Sequence, residues 1–299
     1  MIGYYIFMEI DIQPGKYIVA VSGGVDSIVL LDLLTHQNNL ELAIAHLDHG
    51  IRKESHLDHD FVKKLSEKYG LKFFSKRVEL GQNASEDNAR KVRYDFLDSA
   101  MKSFEAKSII TAHHQDDILE TATFNMLRGT GRSGLSSLKS TPKILRPLLR
   151  YSKLEILEYA KTHKLDWVED KTNQDTRYSR NYIRHKMLAK LNHQSKDKLI
   201  TLVNNTRDVN SLIDKELNLQ LHKNLKDNKL DKHWFIMLPN NVAEEVVAYW
   251  FRQSGLGSFD KKIIHRSVVA IKTFKSGKQS DIYGGSRLLI EDQTVAIIR

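Results

Sequence analysis

The sequence predicts an α/β protein, a doubly wound parallel sheet followed by a helical and α+β C-terminal region, on three observations. Apolar, strand-like runs begin near Lys16, Leu42, Lys72 and Lys107, with helical patterns between them. Strand and helix alternating at that spacing argue a parallel sheet covered on both faces. Residues 22–27, Ser-Gly-Gly-Val-Asp-Ser, join the run Tyr17-Ile-Val-Ala-Val21 to the run Ile28-Val-Leu-Leu-Asp-Leu-Leu34, so a buried strand, a tight glycine turn and a helix start follow one another. After Asp231 the texture changes to two helices and three short strands.

The first turn carries the chemistry. Unpaired N–H groups at a helix start, glycines that admit close backbone approach, and serine hydroxyls together make an oxyanion cradle. Ser22, Gly23, Gly24, Val25, Asp26 and Ser27 are therefore candidates for holding a phosphate, with Asp26 as a divalent-cation ligand beside it. The plainer alternative is an ordinary turn capped by Ser22 or Asp26. It is not a Walker loop, because no Gly-x-x-x-x-Gly-Lys-Ser/Thr occurs and Gly15-Lys16 lacks both the first glycine and the hydroxyl.

Further along, a helix from about Ser55 to Tyr69 ends at Gly70, a fitting residue just past a helix end. The next opens near Asn83, with Glu86 as its capping-box partner. Arg146-Pro147-Leu148-Leu149 stops the last connection, which bounds a nucleotide-type domain at residues 1–150. A helix from Ser152 to His163, a polar acidic stretch from Glu169 to Tyr178, and helical patterns at Arg180–Leu191 and Lys196–Leu225 make a linking region, 151–230. Helices Val242–Gln253 and Lys261–Phe274 precede strands at Ser280–Tyr283, Arg287–Glu291 and Thr294–Ile298, with Gly284-Gly285 as a hairpin turn, in a last part, 231–299. Gly129-Thr-Gly131-Arg-Ser-Gly134 spells G-x-G-x-x-G but follows a helix, so it reads as a mobile loop over the active site rather than a dinucleotide fingerprint.

Composition narrows the partners. The chain of 299 residues is 41% hydrophobic and 28% charged, the balance of a soluble globular protein. No stretch reaches membrane-spanning length, and Glu9 and Asp11 interrupt the apolar N-terminal residues, so the expectation is a cytoplasmic protein without a membrane partner. The net charge of +9 suits a polyanion such as RNA. The charge concentrates at 176–200, where Arg177, Arg180, Arg184, Lys186, Lys190, Lys196 and Lys198 face Asp197 alone. Zero cysteines exclude disulfides, thiolate metal sites, iron–sulfur ligation and persulfide carriers.

Two polar clusters sit where strands end, as ligands require in an open α/β sheet. His46-Leu-Asp48-His49-Gly50-Ile-Arg52 follows the second strand. Ala112-His113-His114-Gln-Asp116-Asp117-Ile-Leu-Glu120-Thr121 follows the fourth and opens a helix on which Asp117 and Glu120 share a face. Taken alone, the histidines and aspartates would also suit a two-metal phosphohydrolase, or acidic residues complementing a helix dipole. Arg90 and Arg93, one helical turn apart, are candidates to neutralise phosphate charge.

As a series these motifs resemble a known family. Ser22–Ser27 resembles the signature of PP-loop ATP pyrophosphatases. The ordered set that continues through His46-x-Asp48-His49-Gly50-x-Arg52, Ala89-Arg90-x-x-Arg93-Tyr94 and His113-His114-x-Asp116-Asp117-x-x-Glu120-Thr121 is similar to the tRNA(Ile)-lysidine synthetases. So are Arg128-Gly129-x-Gly131-x-x-Gly134-Leu135, Arg146-Pro147-Leu148-Leu149 and Asn173-x-Asp175-x-x-Tyr178-x-Arg180-Asn181-x-x-Arg184. The likeness is closest over 16 to about 190 and looser beyond, and it is to the compact type without a distal C-terminal domain.

The resemblance implies ATP and Mg²⁺ as cofactors, L-lysine and a CAU-anticodon isoleucine tRNA as partners, and leaves a homodimer open. It implies that AMP passes to the C2 oxygen of the wobble cytidine and that the ε-amine of lysine then displaces it, giving lysidine. Asp26, Arg90, Arg93, Asp117 and Glu120 would be catalytic, with Asp26 the metal ligand. His46, His49 and His113 would join Ser22–Ser27 on the nucleotide, Asp117 and Glu120 would hold lysine, and Arg128, Arg180, Asn181 and Arg184 would contact tRNA. Thiolases of the same fold pass sulfur through cysteines or a cluster, which this chain lacks. A non-catalytic RNA-binding protein is the alternative from another class, and another PP-loop tRNA-modifying enzyme is the alternative within it.

Overall fold

The computed structural model describes residues 8–48, 50, 55–79, 86–169, 179–256 and 259–299. They form two compact units: Met1–Asn125 with Ser136–Val203, and Met126–Leu135 with Asn204–Arg299. These boundaries differ from 150 and 230. The first unit runs past 150 because the helix after Ser152 packs into its core, and a 32-residue helix passes through position 204 with no break in texture.

In chain order the first unit contains β1 (Gly15–Ala20), α1 (Val25–Thr35), β2 (Leu40–Asp48), α2 (Ser55–Tyr69), β3 (Lys72–Arg77), α3 (Glu86–Ser103), β4 (Ser108–Ile110) and α4 (Gln115–Leu127). After the short helix α5 (Arg132–Leu135), which belongs to the other unit, come β5 (Ile144–Leu145), α6 (Lys153–Thr162) and α7 (Ser179–Tyr182). The five strands are parallel, in the order β3-β2-β1-β4-β5. The chain steps outward from β1 to β3, then returns to the other side of β1 with β4. The junction of β1 and β4 is therefore the switch point at which open α/β sheets bind ligands.

Both faces are covered, as alternation along a strand requires. Tyr17, Val19 and Val21 pack with α1 and with Ile156, Tyr159 and Ala160 of α6. Ile18, Ala43 and Ala45 pack against Phe96, Leu97 and Ala100 of α3. Helix α1 is buried at Val25 and from Ser27 to Leu34, which is why its sequence is apolar all round. Its one buried carboxylate, Asp32, accepts hydrogen bonds from Tyr159 (2.9 Å) and Tyr69 (3.4 Å). Helix α6 starts with a capping box, the Ser152 and Glu155 side chains each accepting from the other's backbone N–H. Helix α2 stops at Gly70, whose φ of 64° is the left-handed end expected of it. Asn83, the expected start of the next helix, lies outside the described residues, and α3 begins at Glu86.

The regular helix expected at Arg180–Leu191 is instead α7, five residues of π-helix (Ile183–Met187) and a 3-10 turn (Leu188–Lys190). Ile183 and Leu188, five residues apart, both pack with Ile118, Leu119 and Ala122 of α4. An i→i+5 turn brings that spacing onto one face, where a regular α-helix splays it.

Helix α8 (His193–Asn224) leads into the second unit: β6 (Leu225–Lys226), β7 (Lys229–Asp231), α9 (Lys232–Ile236), α10 (Asn240–Gln253), α11 (Lys261–Thr273), β8 (Lys278–Asp281), β9 (Arg287–Ile290) and β10 (Thr294–Ile298). The sheet is antiparallel, β6-β7-β10-β9-β8. It has two more strands than expected. They are joined by Asp227 and Asn228, both at positive φ (50° and 59°), the conformation of a two-residue hairpin turn. The Gly129–Gly134 segment is not an unattached loop. Arg132 donates to Glu245 (2.8 Å), Asp214 (2.8 Å) and Asn210 (3.2 Å) within its own unit, and Asn210 returns a bond to the Arg132 carbonyl. No helix among the described residues is long and apolar enough to cross a membrane.

Candidate active site

The glycine turn at the end of β1 is braced from inside. The Ser27 hydroxyl accepts from the Ser22 and Gly23 amides (3.2 Å each) and donates to the Gly24 carbonyl (2.8 Å). Gly23 sits at φ 94°, a conformation L side chains rarely adopt, so the turn calls for glycine. Gly24 is the residue before α1, and no side chain caps the helix start. Gly24, Val25 and Asp26, at this helix start without a capping side chain, line a cleft at the switch point.

That cleft has a volume of about 770 Å³ and is lined by Ser22, Asp26, Asp117, Glu120, Lys153 and Arg184 among others. Asp26 Oδ1 accepts from Lys153 Nζ at 2.5 Å, and its Oδ2 lies 3.8 Å from His114 Nε2. Asp117 Oδ2 accepts from the His114 amide (2.9 Å) and lies 3.6 Å from His114 Nε2. Glu120, 1% exposed, holds Arg184 in a bidentate pair, Nε to Oε1 at 2.5 Å and Nη2 to Oε2 at 3.0 Å, with Asp117 Oδ1 3.6 Å from Nη2. Packing of Ile183 and Leu188 on α4 sets Arg184 opposite the acidic face of that helix.

The two carboxyls are driven apart electrostatically. Burial pushes Glu120 up, and the Arg184 hydrogen bonds only partly offset it. Burial acts on Asp117 too, but the adjacent His114 and His113, the His114 amide and Arg184 outweigh it and hold Asp117 below the usual carboxylate range. His113, whose Nδ1 meets the Thr111 hydroxyl at 2.9 Å, is lowered to about 4 by burial and by Arg146, Arg93 and Arg90, against the pull of Asp117. It is neutral at pH 7. His46 is lowered by burial; its Nδ1 donates to the Val21 carbonyl (2.9 Å).

The structure brings Ser22, Gly24, Val25, Asp26, Asp117, Glu120 and Arg184 to one cleft, and leaves His46, His113, Arg90, Arg93, Arg128, Arg180 and Asn181 off its lining. Arg90 lies over the Tyr94 ring at 5.0 Å, and both Arg90 and Arg93 are exposed. Arg184, expected on tRNA phosphate, is engaged by Glu120 and Asp117, because a fully buried carboxylate draws the guanidinium inward. His49, Arg52, Asn173, Asp175, Arg177 and Tyr178 lie outside the described residues. Sequence reasoning missed Lys153 and Trp167 on the cleft; it placed His114 in the cluster there without giving it a role. It named Arg146 only within its motif, although the nearly buried Arg146 donates to the Lys139 carbonyl and reaches the Tyr94 hydroxyl at 3.5 Å.

A braced glycine turn running into an uncapped helix at the switch point of a parallel sheet, with carboxylates across the cleft, defines an α/β nucleotide-site protein, and the chain belongs to the PP-loop domain family, whose model matches residues 6–191. Its relatives are more specific. It is 38% identical over 221 residues to the tRNA(Ile)-lysidine synthase of Thermosipho africanus, covering 70% of this chain and 52% of that protein. To the enzyme of the same name from Nitrosomonas europaea it is 33% identical over 264 residues, 82% of this chain and 57% of the relative. The chain thus spans about half the length of these curated relatives. Among solved structures, the U34-tRNA thiolase NcsA from Methanococcus maripaludis shares the fold, with a TM-score of 0.52 at 21% identity over 64% of this chain and 70% of that one.

Proposed function

We propose that the protein ligates L-lysine to C2 of the wobble cytidine of a CAU-anticodon isoleucine tRNA, acting in the cytoplasm as a monomer or a homodimer. The observation that carries this reading is the sharing of one cleft by the anion cradle with Asp26 and by the paired carboxylates Asp117 and Glu120. An oxygen on a pyrimidine ring is a poor leaving group, so it is first adenylated. The C2 oxygen bonds to the α-phosphorus, and the bond to the β-phosphate oxygen breaks with its electron pair leaving on pyrophosphate. The α1 amides and the Ser22–Gly24 turn hold the anionic chain.

Mg²⁺ fits this site in one way. Among the described residues no cluster of three or more His, Asp or Glu could cage a metal, but Asp26 alone beside the cradle suits an ion held by one carboxylate and substrate phosphates. Bound there, it supplies charge neutralisation. Lysine arrives protonated, since its reference pKa of about 10.4 leaves little free amine at pH 7. Asp117, held in its ionised form, suits the ammonium, and Glu120, with its raised proton affinity, suits taking the proton as nitrogen attacks C2 and AMP departs. In this structure the Arg184 guanidinium stands where that ammonium would be bound. Arg90 and Arg93, whose charges act on neutral His113, are assigned to nucleotide or tRNA phosphate, and Arg128, Arg180 and Asn181 to the tRNA.

The reading is tested by product analysis with ATP and tRNA. AMP and pyrophosphate are expected, and Asp26→Ala should stop their formation without lowering the melting temperature. ADP and orthophosphate as the main products would remove the adenylation reading.

A further inference from the structure

Lys153 is placed where its own helix gives it no reason to be. It is the first residue of α6, where the helix dipole disfavours a cation, and Ser152 and Glu155 already close that end. Its ammonium crosses instead to the start of α1 and sits 2.5 Å from Asp26 Oδ1, joining two elements 127 residues apart in sequence. The side chain keeps 35% of its exposure, and it faces the cleft. Asp26 is the one carboxylate in the glycine turn, and a cation taking it would compete with Lys153 for the same oxygen. The ammonium would then lose its partner as the triphosphate arrives at the adjacent α1 amides. A compact charge on a flexible four-carbon stem is suited to change partners over such a short distance.

We propose that Lys153 is a binding residue for the β- and γ-phosphates of ATP, parked on Asp26 until the nucleotide enters. The inference rests on the nucleotide reading of the cleft. Those two phosphates carry most of the charge of the triphosphate and leave together as pyrophosphate, so the cation beside the cradle serves both binding and departure. Lys153 donates hydrogen bonds and gives up no proton; the charge that builds on the leaving oxygen is met by its ammonium.

Calorimetric titration of the whole chain with ATP and, separately, with AMP, each in Mg²⁺, tests this. In Lys153→Met the ATP Kd should rise roughly tenfold, the weight of one charged hydrogen bond. AMP, which lacks both phosphates, should bind as it does to the wild type, and Lys153→Arg should recover most of the ATP affinity. Unchanged ATP affinity in Lys153→Met overturns the assignment while leaving the nucleotide site standing. Equal weakening of ATP and AMP also overturns it, since Lys153 would then act only by neutralising Asp26. If the wild type binds neither nucleotide, the reading of the cleft falls first and this inference with it. A melting temperature measured on each variant separates loss of contact from loss of fold, and Lys153→Gln gives the second measurement should the methionine variant not fold.

Discussion

Arg184→Ala should destabilise the first unit in a way that depends on pH, and the size of the effect follows from Glu120. That carboxylate is 1% exposed, and Arg184 is its bidentate partner. Stripped of the guanidinium, the buried charge is intolerable, and the carboxyl escapes by taking a proton. The penalty is then bounded by the cost of protonating a group with an ordinary pKa of 4.5, about 3 kcal/mol at pH 7 and less than about 1 kcal/mol at pH 5. The sign is fixed by the direction of the shift. Glu120 already binds its proton more tightly in the folded protein than in the unfolded chain, and losing Arg184 moves it further the same way. Both proteins lose this contribution just above about 4.5, and the variant falls behind the wild type as pH rises past the raised wild-type value of Glu120. At roughly 2–4 °C per kcal/mol for a unit of this size, thermal unfolding followed by circular dichroism should show a deficit of several degrees, at most roughly 6–12 °C, at pH 7. At pH 5 only a few degrees should be lost, and Glu120→Gln added to Arg184→Ala should remove most of the pH dependence. An equal deficit at both pH values would mean that Arg184 contributes packing and not charge. No deficit at either would mean that the pair does not form in solution and that Arg184 is available to RNA after all.

Three further outcomes are expected. His113 is held near 4 against 6.5 for a free imidazole, so the unfolded chain takes up its proton first and stability falls as pH drops from about 6.5 to about 4; His113→Gln should flatten the melting profile in that window by about 2 kcal/mol, allowing for the partly exposed ring, and an unchanged profile would contradict the assigned neutrality. Glu120→Gln should spare ATP–pyrophosphate exchange on tRNA while lysine incorporation falls at least tenfold; equal collapse of both would make Glu120 a structural residue. Arg180→Ala should lower the slope of log affinity for tRNA against log salt by up to about one unit while leaving ATP affinity alone, and an unchanged slope would remove Arg180 from the RNA contact.

What the sequence made legible was local. The apolar run into Ser-Gly-Gly located β1, the turn and α1, and Gly70 located the end of α2, because each depends on residues within a few positions. The spacing of Asp117 and Glu120 put both on one face of α4, where the structure has them. What stayed hidden was long-range. The partner of Asp26 lies 127 residues away and the partner of Glu120 lies 64 away, and no periodicity joins them. A cation at the start of a helix already closed by its own cap was the one local trace of Lys153. The π turn at Ile183–Met187 follows from burying residues five apart, which a 3.6-residue pattern does not register. The β6–β7 hairpin turns on Asp227-Asn228, without the glycine that usually marks a turn of that kind.

The most direct measurement of the central claim is transfer of label from L-lysine to RNA. The purified chain, incubated with labelled lysine, Mg²⁺, ATP and a CAU-anticodon isoleucine tRNA, should put label into the RNA in proportion to AMP formed, and not when ATP is omitted or when Asp26→Ala replaces the wild type. Label absent from the RNA while ATP is cleaved to AMP and pyrophosphate would contradict lysine as the substrate, and with it the role given to Asp117 and Glu120.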